Sequence, residues 1–313
     1  MNPRVGNGHV TALPATPANL PERRGAPPKG AEIKLVEPDA VRTDEGSAMN
    51  VASVLAQLRA TTPLVHCLTN TVVPQITANV LLAAGAAPAM IDLPEEAELF
   101  AGIASAVLIN VGNGSSEQHA AQRAAASAAH GAGTPWVLDP VAVGALPVRT
   151  ALARELLALS PAAIRGNASE ILGLAGAGAG GRGVDSIDPV EAAVEAARGL
   201  ADKHNTVVAI SGEVDVVIST SRTTRIHGGD PLMPLVIGTG CSLGALVAAA
   251  LGATREHPCP HDAVVAAHAL FAAAGIVAGR DAKGPASFEI AWCDALYALL
   301  PDEVASLVTV EEA

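Results

Sequence analysis

Residues 106–139 read AVLINVGNGSSEQHAAQRAAASAAHGAGTPWVLD, and this stretch decides the fold. Two short apolar runs, 106–110 and 136–139, flank an Ala-rich run at 117–130 that has the composition of a helix. Strands that are apolar along their whole length are buried on both faces, which is typical of parallel sheets covered by their connecting helices. The stretch therefore predicts two parallel strands joined by a right-handed helical crossover.

The same alternation continues in both directions from this stretch. Further strands are predicted at 63–67, 88–91, 163–165 and 206–210, followed by a hairpin of 214–219 and 224–226. Helices are predicted at 51–59, 77–84, 94–103, 149–159 and 189–204, and Asn50 is the predicted N-cap of the first. A further helix is predicted to start near Asn167, and the last third of the chain, from Cys241, is predicted to be largely helical. We predict an α/β fold: one domain over 49–313, with a mostly parallel central sheet and helices on both faces.

Composition limits the possible partners and the compartment. Residues 1–48 are rich in Pro, Gly and charge and cannot bury enough apolar surface to offset the entropy of ordering, so we predict a disordered tail. The net charge of −12 disfavours a nucleic acid or an anionic membrane as partner. Four scattered cysteines without a CxxC pair indicate reduced thiols, and no secretory signal pattern is present. We therefore expect a cytoplasmic protein.

Two apolar runs, 234–252 and 263–279, are long enough to resemble membrane spans. The first contains Pro234 and several glycines, and the second is Ala-rich and contains His268. We interpret both runs as buried helices of the core.

Polar and glycine-rich residues follow the predicted strands, where parallel α/β sheets bind their ligands. The most distinctive segment is Gly238-Thr-Gly-Cys241, which precedes a long Ala/Val/Leu helical run. Two glycines let successive N–H groups face one point, and the helix adds the positive end of its dipole there. Such a turn stabilises an anion or a developing negative charge, which favours phosphoryl or acyl transfer. An ordinary helix N-terminus is the alternative.

Three other patterns do not support a site. The G-x-G-x-x-G match at 176–181 follows a helix end instead of a strand, so it is not a dinucleotide fingerprint. The potential ligands in 256–262 are interrupted by prolines and too closely spaced for a usual zinc site. The chain contains no G-x-x-x-x-G-K-[ST], which excludes a P-loop.

Several sequence blocks spread over residues 50–300 occur together in one order: Val65-His-Cys-Leu-Thr-Asn70, Leu138-Asp-Pro-Val-Ala-Val-Gly144, Ile164-Arg-Gly-Asn-Ala-Ser-Glu170, Ile210-Ser-Gly-Glu-Val-Asp215 and Gly238-Thr-Gly-Cys241. Their sequence and order resemble those of hydroxyethylthiazole kinases, thiamin-salvage enzymes of the ribokinase-like superfamily. The resemblance implies a ribokinase-like three-layer fold and phosphorylation of the alcohol of 4-methyl-5-(2-hydroxyethyl)thiazole by ATP with Mg²⁺. It also implies a homotrimer with its sites at subunit interfaces.

The resemblance further implies roles for seven residues: Met90 and Gly238 in thiazole binding, Arg165 and Ser211 in ATP binding, Asp139 and Glu170 near Mg²⁺ directly or through waters, and Cys241 in catalysis. Related sugar and pyrimidine kinases carry an Asp as general base at the place of Cys241. A helix N-terminus lowers a thiol's pKa, so we expect Cys241 to take part of that role. Ser211 stands where the family usually has Thr.

Structural interpretations of four of these residues stay open. Asp139 precedes Pro140, so its carboxylate is expected either to point past the sheet edge or to cap a loop. Glu170 has the spacing of a capping box with Asn167, Arg165 could form a surface ion pair, and Met90 could be a core residue.

Three functions therefore compete. The first is a thiazole kinase. The second is another ribokinase-like enzyme, either a hydroxymethylpyrimidine-type kinase or an ATP-dependent dehydratase of hydrated nicotinamide nucleotides. The third is a catalytically inactive thiazole-binding protein. The Gly238–Cys241 turn, which ends in Cys and not in Asp, favours the first.

Overall fold

The computed structural model describes residues 50–177 and 189–313. The predicted tail at 1–48 and most of the Gly-rich segment 176–181 lie outside the described residues. Within the described ranges, nine strands form one sheet in the order β2-β1-β3-β4-β5-β6-β7-β8-β9.

The strands are β1 (Leu64–Leu68), β2 (Ala87–Ala89), β3 (Ala106–Asn110), β4 (Trp136–Asp139), β5 (Ala163–Asn167), β6 (Val207–Ser211), β7 (Val214–Ile218), β8 (Thr223–His227) and β9 (Thr309–Glu312). The helices are α1 (Val51–Thr61), α2 (Pro74–Ala84), α3 (Pro94–Ile103), α4 (Ser116–Ala132), α5 (Pro147–Leu156), α6 (Ala168–Ala175), α7 (Pro189–His204), α8 (Thr239–Ala253), α9 (Pro260–Gly279), α10 (Pro285–Ala298) and α11 (Pro301–Leu307).

The sheet has a parallel part and an antiparallel part. Strands β1 to β6 pair in parallel, with Asn110 opposite Asp139 and Asn167 opposite Ser211. Strands β6 to β9 pair antiparallel. The parallel part brings the carboxyl ends of β3, β4, β5 and β6 to one edge, which we call the carboxyl edge.

Alternate residues of each central strand pack into two separate hydrophobic cores. On β3, Leu108 joins the core formed with α1, α2, α8, α9 and α10, whereas Val107 and Ile109 join the core formed with α3 to α7. Strand β4 divides in the same way, with Val137 on the first side and Leu138 on the second. Helices therefore cover both faces of the sheet, and the predicted three-layer α/β fold is confirmed.

Helices α8 and α9 lie inside the first core. Almost every side chain of α8 is buried, and α9 is the one helix of the described part of the chain that is long and apolar enough to cross a membrane. Most of α9 is buried against the sheet and its neighbours, as we expect of a core helix. Its Phe271 packs edge-on against Trp292 of α10, with 4.6 Å between the ring centroids.

Several elements differ from their predicted bounds; helix α5, for example, spans Pro147–Leu156 instead of 149–159. Helix α2 begins at Pro74 and not at residue 77, because proline occupies its first turn without loss of a hydrogen bond. Strand β2 is shorter than predicted and ends at Ala89. Strand β9 was not predicted, since its four residues are all exposed and show no apolar pattern.

Candidate active site

The Gly238–Cys241 turn forms the start of α8, as predicted. Gly238 has a φ of 90°, and a Cβ there would lie 2.5 Å from Cγ2 of Ile76. A side chain at this position is thus excluded by both backbone conformation and space. The Thr239 hydroxyl donates to the carbonyls of Met233 and Val236 at 3.1 and 3.2 Å, which fixes the approach to the helix.

The first amides of α8 are available to a ligand. Among the described residues, the N–H groups of Thr239, Gly240 and Cys241 donate no hydrogen bond, whereas that of Ser242 donates to the Gly238 carbonyl at 2.8 Å. Unpaired amides at a helix start carry the positive end of the helix dipole. The geometry of an anion site, expected from the two glycines, is present.

Arg165 lies directly against this turn. Its side chain is nearly buried, and Nε and Nη2 donate to Oγ of Ser211 at 3.0 and 2.8 Å. Its Nη1 is only 3.0 Å from the position that a Cβ on Gly240 would take. Arg165 is therefore not a surface ion pair, and adjacent strands bring it together with Ser211 as the ATP-site prediction requires.

Asp139 lies at the end of β4 and is completely buried. Helix α8 covers it: a Cβ on Gly244 would lie 3.3 Å from its Oδ2. Asn110 donates to Oδ2 at 2.8 Å, and Nη1 of Arg165 lies 4.0 Å from Oδ1, which has no hydrogen-bond partner. Burial raises the pKa of Asp139 to about 7, although Arg165 opposes the shift.

Asn70 and Asn110, both among the polar residues that follow the predicted strands, connect Asp139 to Cys241. Asn70 Nδ2 lies 3.2 Å from Oδ1 of Asn110 and 3.4 Å from Sγ of Cys241. Asn70 and Asn110 both follow or end strands of the parallel part, and this position was the signal that pointed to them.

Cys241 does not have the lowered pKa that we expected from its helix position. Burial, followed by the charge of Asp139, raises the pKa of Cys241 to about 11. Desolvation of the thiolate is the largest cause of this shift. The thiol is protonated near neutral pH.

Glu170 makes the capping box predicted for it. The Asn167 side chain accepts from the Glu170 N–H at 3.0 Å, and the Asn167 N–H donates to Glu170 Oε2 at 2.9 Å. The second oxygen, Oε1, accepts from the N–H of Ala142 at 3.0 Å, which holds the loop after β4. Each carboxylate oxygen has a remaining lone pair, so capping and an outer-sphere contact to a metal are compatible.

Met90 lies apart from these residues. It follows β2 and is 38 % exposed, so it is not a core methionine. Ile91, the residue after Met90, is held by the fully buried His66 of β1, whose Nε2 lies 2.8 Å from the Ile91 carbonyl oxygen. The His66 ring also packs edge-on against Phe100. The segment is thus fixed to β1 while the Met90 side chain stays accessible.

A cavity of about 870 Å³ opens beside the α8 turn. Its lining includes Arg165, Ser211, Asp215, Thr239, Gly240 and Phe271. This volume falls within the usual range of small-molecule sites. The structure therefore joins the two predicted ATP residues and the α8 amides in one cavity, with Cys241 continuing the same helix turn.

The chain resembles known proteins over nearly all of its described length. The model of the "Hydroxyethylthiazole kinase family" matches residues 55–302. A hydroxyethylthiazole kinase of Corynebacterium glutamicum is 57 % identical over 260 residues, which cover 83 % of this chain and 97 % of the relative. One from Klebsiella pneumoniae is 56 % identical over 247 residues, covering 79 % and 95 %.

Solved structures agree with these matches. The hydroxyethylthiazole kinase of Pyrococcus horikoshii aligns with a TM-score of 0.77 at 35 % identity, covering 84 % of this chain and 98 % of that one. A Staphylococcus aureus pyridoxal kinase in complex with AMP-PCP and pyridoxal has a TM-score of 0.53 at 16 % identity, covering 80 % and 99 %, and shares the fold alone. Since both sequence and structure match throughout the region that builds the α8 cavity, the chain belongs to the hydroxyethylthiazole kinase family.

Proposed function

We propose that this protein transfers the γ-phosphate of ATP to the hydroxyl of 4-methyl-5-(2-hydroxyethyl)thiazole. The observation that carries the proposal is the group of unpaired α8 amides that faces Arg165 and Ser211 in one cavity. Phosphoryl transfer needs positioning and stabilisation of charge on the transferred group. Fixed amides and a guanidinium supply both without reorganisation.

In this proposal the nucleotide lies in the 870 Å³ cavity with its phosphates toward α8. Arg165 and the Ser211 hydroxyl contact the phosphates, and the N–H groups of Thr239 to Cys241 receive the charge of the transferring group. The thiazole approaches from the side of Gly238 and Met90, so that its hydroxyl reaches the same helix turn.

Cys241 serves mainly to position the acceptor hydroxyl. Its thiol stays protonated because its pKa is raised to about 11, so it is a weak proton acceptor at neutral pH. The side-chain amide of Asn70 at 3.4 Å fixes the sulfur in place.

We further propose that Mg²⁺ accompanies ATP at the carboxyl edge. Asp139 offers an oxygen without a hydrogen-bond partner, and Glu170 keeps free lone pairs on both oxygens. No group of three or more His, Cys, Asp or Glu side chains able to hold a metal occurs in residues 50–177 and 189–313. This donor set fits Mg²⁺, which takes few carboxylates and keeps its waters and the substrate phosphates. When bound, the ion would neutralise phosphate charge.

We also propose that the protein is a cytoplasmic homotrimer whose thiazole sites lie at subunit interfaces. Large apolar side chains are exposed near the residues assigned to the thiazole in the chain: Ile237 directly before Gly238, Leu93 shortly after Met90, and Val72 before Val73, whose side chain lies against Gly238. A neighbouring subunit would cover this surface. Light scattering coupled to size exclusion tests the assembly, and the mass of a single chain would contradict it.

The activity is tested by supplying the purified protein with Mg-ATP and three acceptor conditions: hydroxyethylthiazole, hydroxymethylpyrimidine, and none. We expect ADP and a phosphorylated thiazole in the first condition, with turnover abolished by EDTA. Product formation with the pyrimidine alone would identify another ribokinase-like kinase. Thiazole binding without ATP consumption would identify an inactive binding protein.

A further inference from the structure

A buried histidine outside the predicted site contacts the wall of the nucleotide cavity. His268 lies in the middle of α9 and is fully buried, and its Nδ1 is 2.7 Å from Oδ2 of Asp215 on β7. Asp215 itself lines the cavity. A buried polar pair of this kind is costly to form and is therefore informative when it occurs.

Both carboxylate oxygens of Asp215 are engaged within the protein. Oδ2 accepts from His268, and Oδ1 accepts from the N–H of Gly212 at 2.9 Å. Burial by itself raises the pKa of Asp215. The charge of His268, the hydrogen bond from His268 and the hydrogen bond from the Gly212 N–H together lower this pKa below its usual value. Asp215 is therefore ionised and used to hold Gly212.

Gly212 begins the turn between β6 and β7 and directly follows Ser211. The Ser211 hydroxyl accepts from two nitrogens of Arg165. Hydrogen bonds thus connect His268 of α9 to Asp215 and Asp215 to Gly212. The neighbouring Ser211 in turn bonds the Arg165 guanidinium, which lies at the start of α8.

We propose that His268 and Asp215 are positioning residues for the nucleotide: together they fix the Ser211–Gly212 turn and, through it, the direction of the Arg165 guanidinium. The inference rests on the proposed kinase function. Neither residue needs to touch the substrate, because the effect is transmitted through the turn. Small displacements of a positioning group have large effects on phosphoryl transfer.

The test compares His268→Leu, which removes the donor at similar volume, with His268→Asn, whose amide can still donate toward Asp215. For His268→Leu we expect the KM for ATP to rise roughly tenfold, with the KM for the thiazole within about twofold of wild type. His268→Asn should restore most of the ATP affinity. Calorimetric titration of ADP into each variant should show the same order.

A matched control lies on the same helix. His261 is also buried, but it bonds Thr224 and Ser219 at the opposite edge of the sheet. His261→Leu should lower the melting temperature and leave the KM for ATP unchanged.

Loss of His268 leaves Oδ2 of Asp215 without its donor, so His268→Leu alone can fail to fold. The double variant Asp215→Ala/His268→Leu removes both partners and avoids the unpaired charge. It should fold and show the same rise in the KM for ATP, because Gly212 has lost its acceptor.

Four outcomes would overturn the inference: an unchanged KM for ATP in folded His268→Leu or in the double variant, an equal rise in both KM values, no rescue by His268→Asn, or a matching rise in His261→Leu. If the wild type turns over no thiazole, the proposed function fails. The ADP affinities then decide the positioning role separately.

Discussion

Two polar clusters lie at opposite edges of the sheet and differ in how fully their groups are paired. At the carboxyl edge, Asp139 Oδ1 and the first amides of α8 have no hydrogen-bond partner within the described residues. At the other edge, Arg222 pairs with both Asp262 and Glu312, and Thr224 donates to Glu312 and bonds His261. We call this second group the Arg222 cluster.

The difference separates two uses of buried polar groups. A paired cluster contributes to stability, because each desolvated group recovers a hydrogen bond in the folded chain. An incompletely paired cluster lowers stability until a ligand supplies the missing bonds. The Arg222 cluster holds β8, β9 and α9 together, whereas the unpaired groups at the carboxyl edge belong to the site that we propose for the substrates.

The strongest test of this contrast replaces one arginine in each cluster. Arg165→Ala should lower kcat/KM by about 10²–10³-fold, since a charged donor to the transferring phosphate is lost. Steady-state kinetics with Mg-ATP and hydroxyethylthiazole measure the effect.

Arg222→Ala is the matched control. It removes the cation that pairs with the buried Asp262 and the exposed Glu312, and it should lower the free energy of unfolding by about 1–2 kcal/mol. Its kcat/KM should stay near that of the wild type at 25 °C. A large loss of activity in a folded Arg222→Ala variant would remove the distinction between the clusters.

A second test places a methyl group at the α8 turn. Gly238→Ala should lower kcat/KM by about 10–100-fold, because the Cβ strains the positive φ and collides with Ile76. Gly133→Ala is the control, since Gly133 also has a positive φ but has open space around its Cβ position. It should cost only about 1 kcal/mol of stability and leave kinetics unchanged. Equal kinetic losses in both variants would contradict a special role for the turn.

A third test concerns the pH dependence of stability. The pKa of Asp139 is raised to about 7, so between pH 4 and 7 the folded state keeps a proton that the unfolded chain releases. This carboxyl therefore lowers stability progressively as the pH rises through that window. Asp139→Asn removes the effect and should stabilise the protein by about 1–3 kcal/mol at pH 8, with little gain at pH 4, while activity falls.

Urea unfolding of the wild type and of Asp139→Asn at both pH values measures the difference in their free energies of unfolding. The titration of the other groups cancels in this difference. A variant less stable than the wild type at pH 8 would show that the buried carboxylate is well compensated by Arg165.

The smallest effect is expected at Cys241. Cys241→Ser should change kcat by no more than about threefold, because a protonated thiol and a hydroxyl position the acceptor similarly. Cys241→Asp should retain or raise turnover, since a carboxylate is a better proton acceptor. A near-complete loss in Cys241→Asp, measured by ADP release, would refute a base at this position.

Sequence alone predicted the parallel part of the fold and two residues that line the cavity, Arg165 and Ser211. Strands β3 and β4 and helix α3 have the predicted bounds, because their apolar runs end at clear breaks. Strand β9 was missed, since an exposed edge strand needs no apolar alternation. Arg165, Ser211 and the α8 turn were predicted to share a site, and they do.

The electrostatic properties of the site were not predictable in the same way. The burial of Asp139 depends on how closely α8 packs on β3 and β4 through Gly244, a tertiary distance that no local pattern contains. Desolvation of the partly buried Cys241 and the charge of Asp139 likewise reverse the expected direction of the pKa shift of this thiol. Asn70 and Asn110 belonged to the polar residues after the predicted strands but received no assigned role, because asparagine after a strand is also common in ordinary turns.

The edge-on contact between Phe271 and Trp292 has a practical consequence for spectroscopy. The chain has two tryptophans, and Trp136 belongs to the opposite core. Phe271 forms part of the cavity wall, so a molecule entering there perturbs the surroundings of the Trp292 indole. A Trp136→Phe protein therefore carries Trp292 as its single tryptophan, and the emission of this indole, excited selectively at about 295 nm, can follow ligand entry in real time without a label.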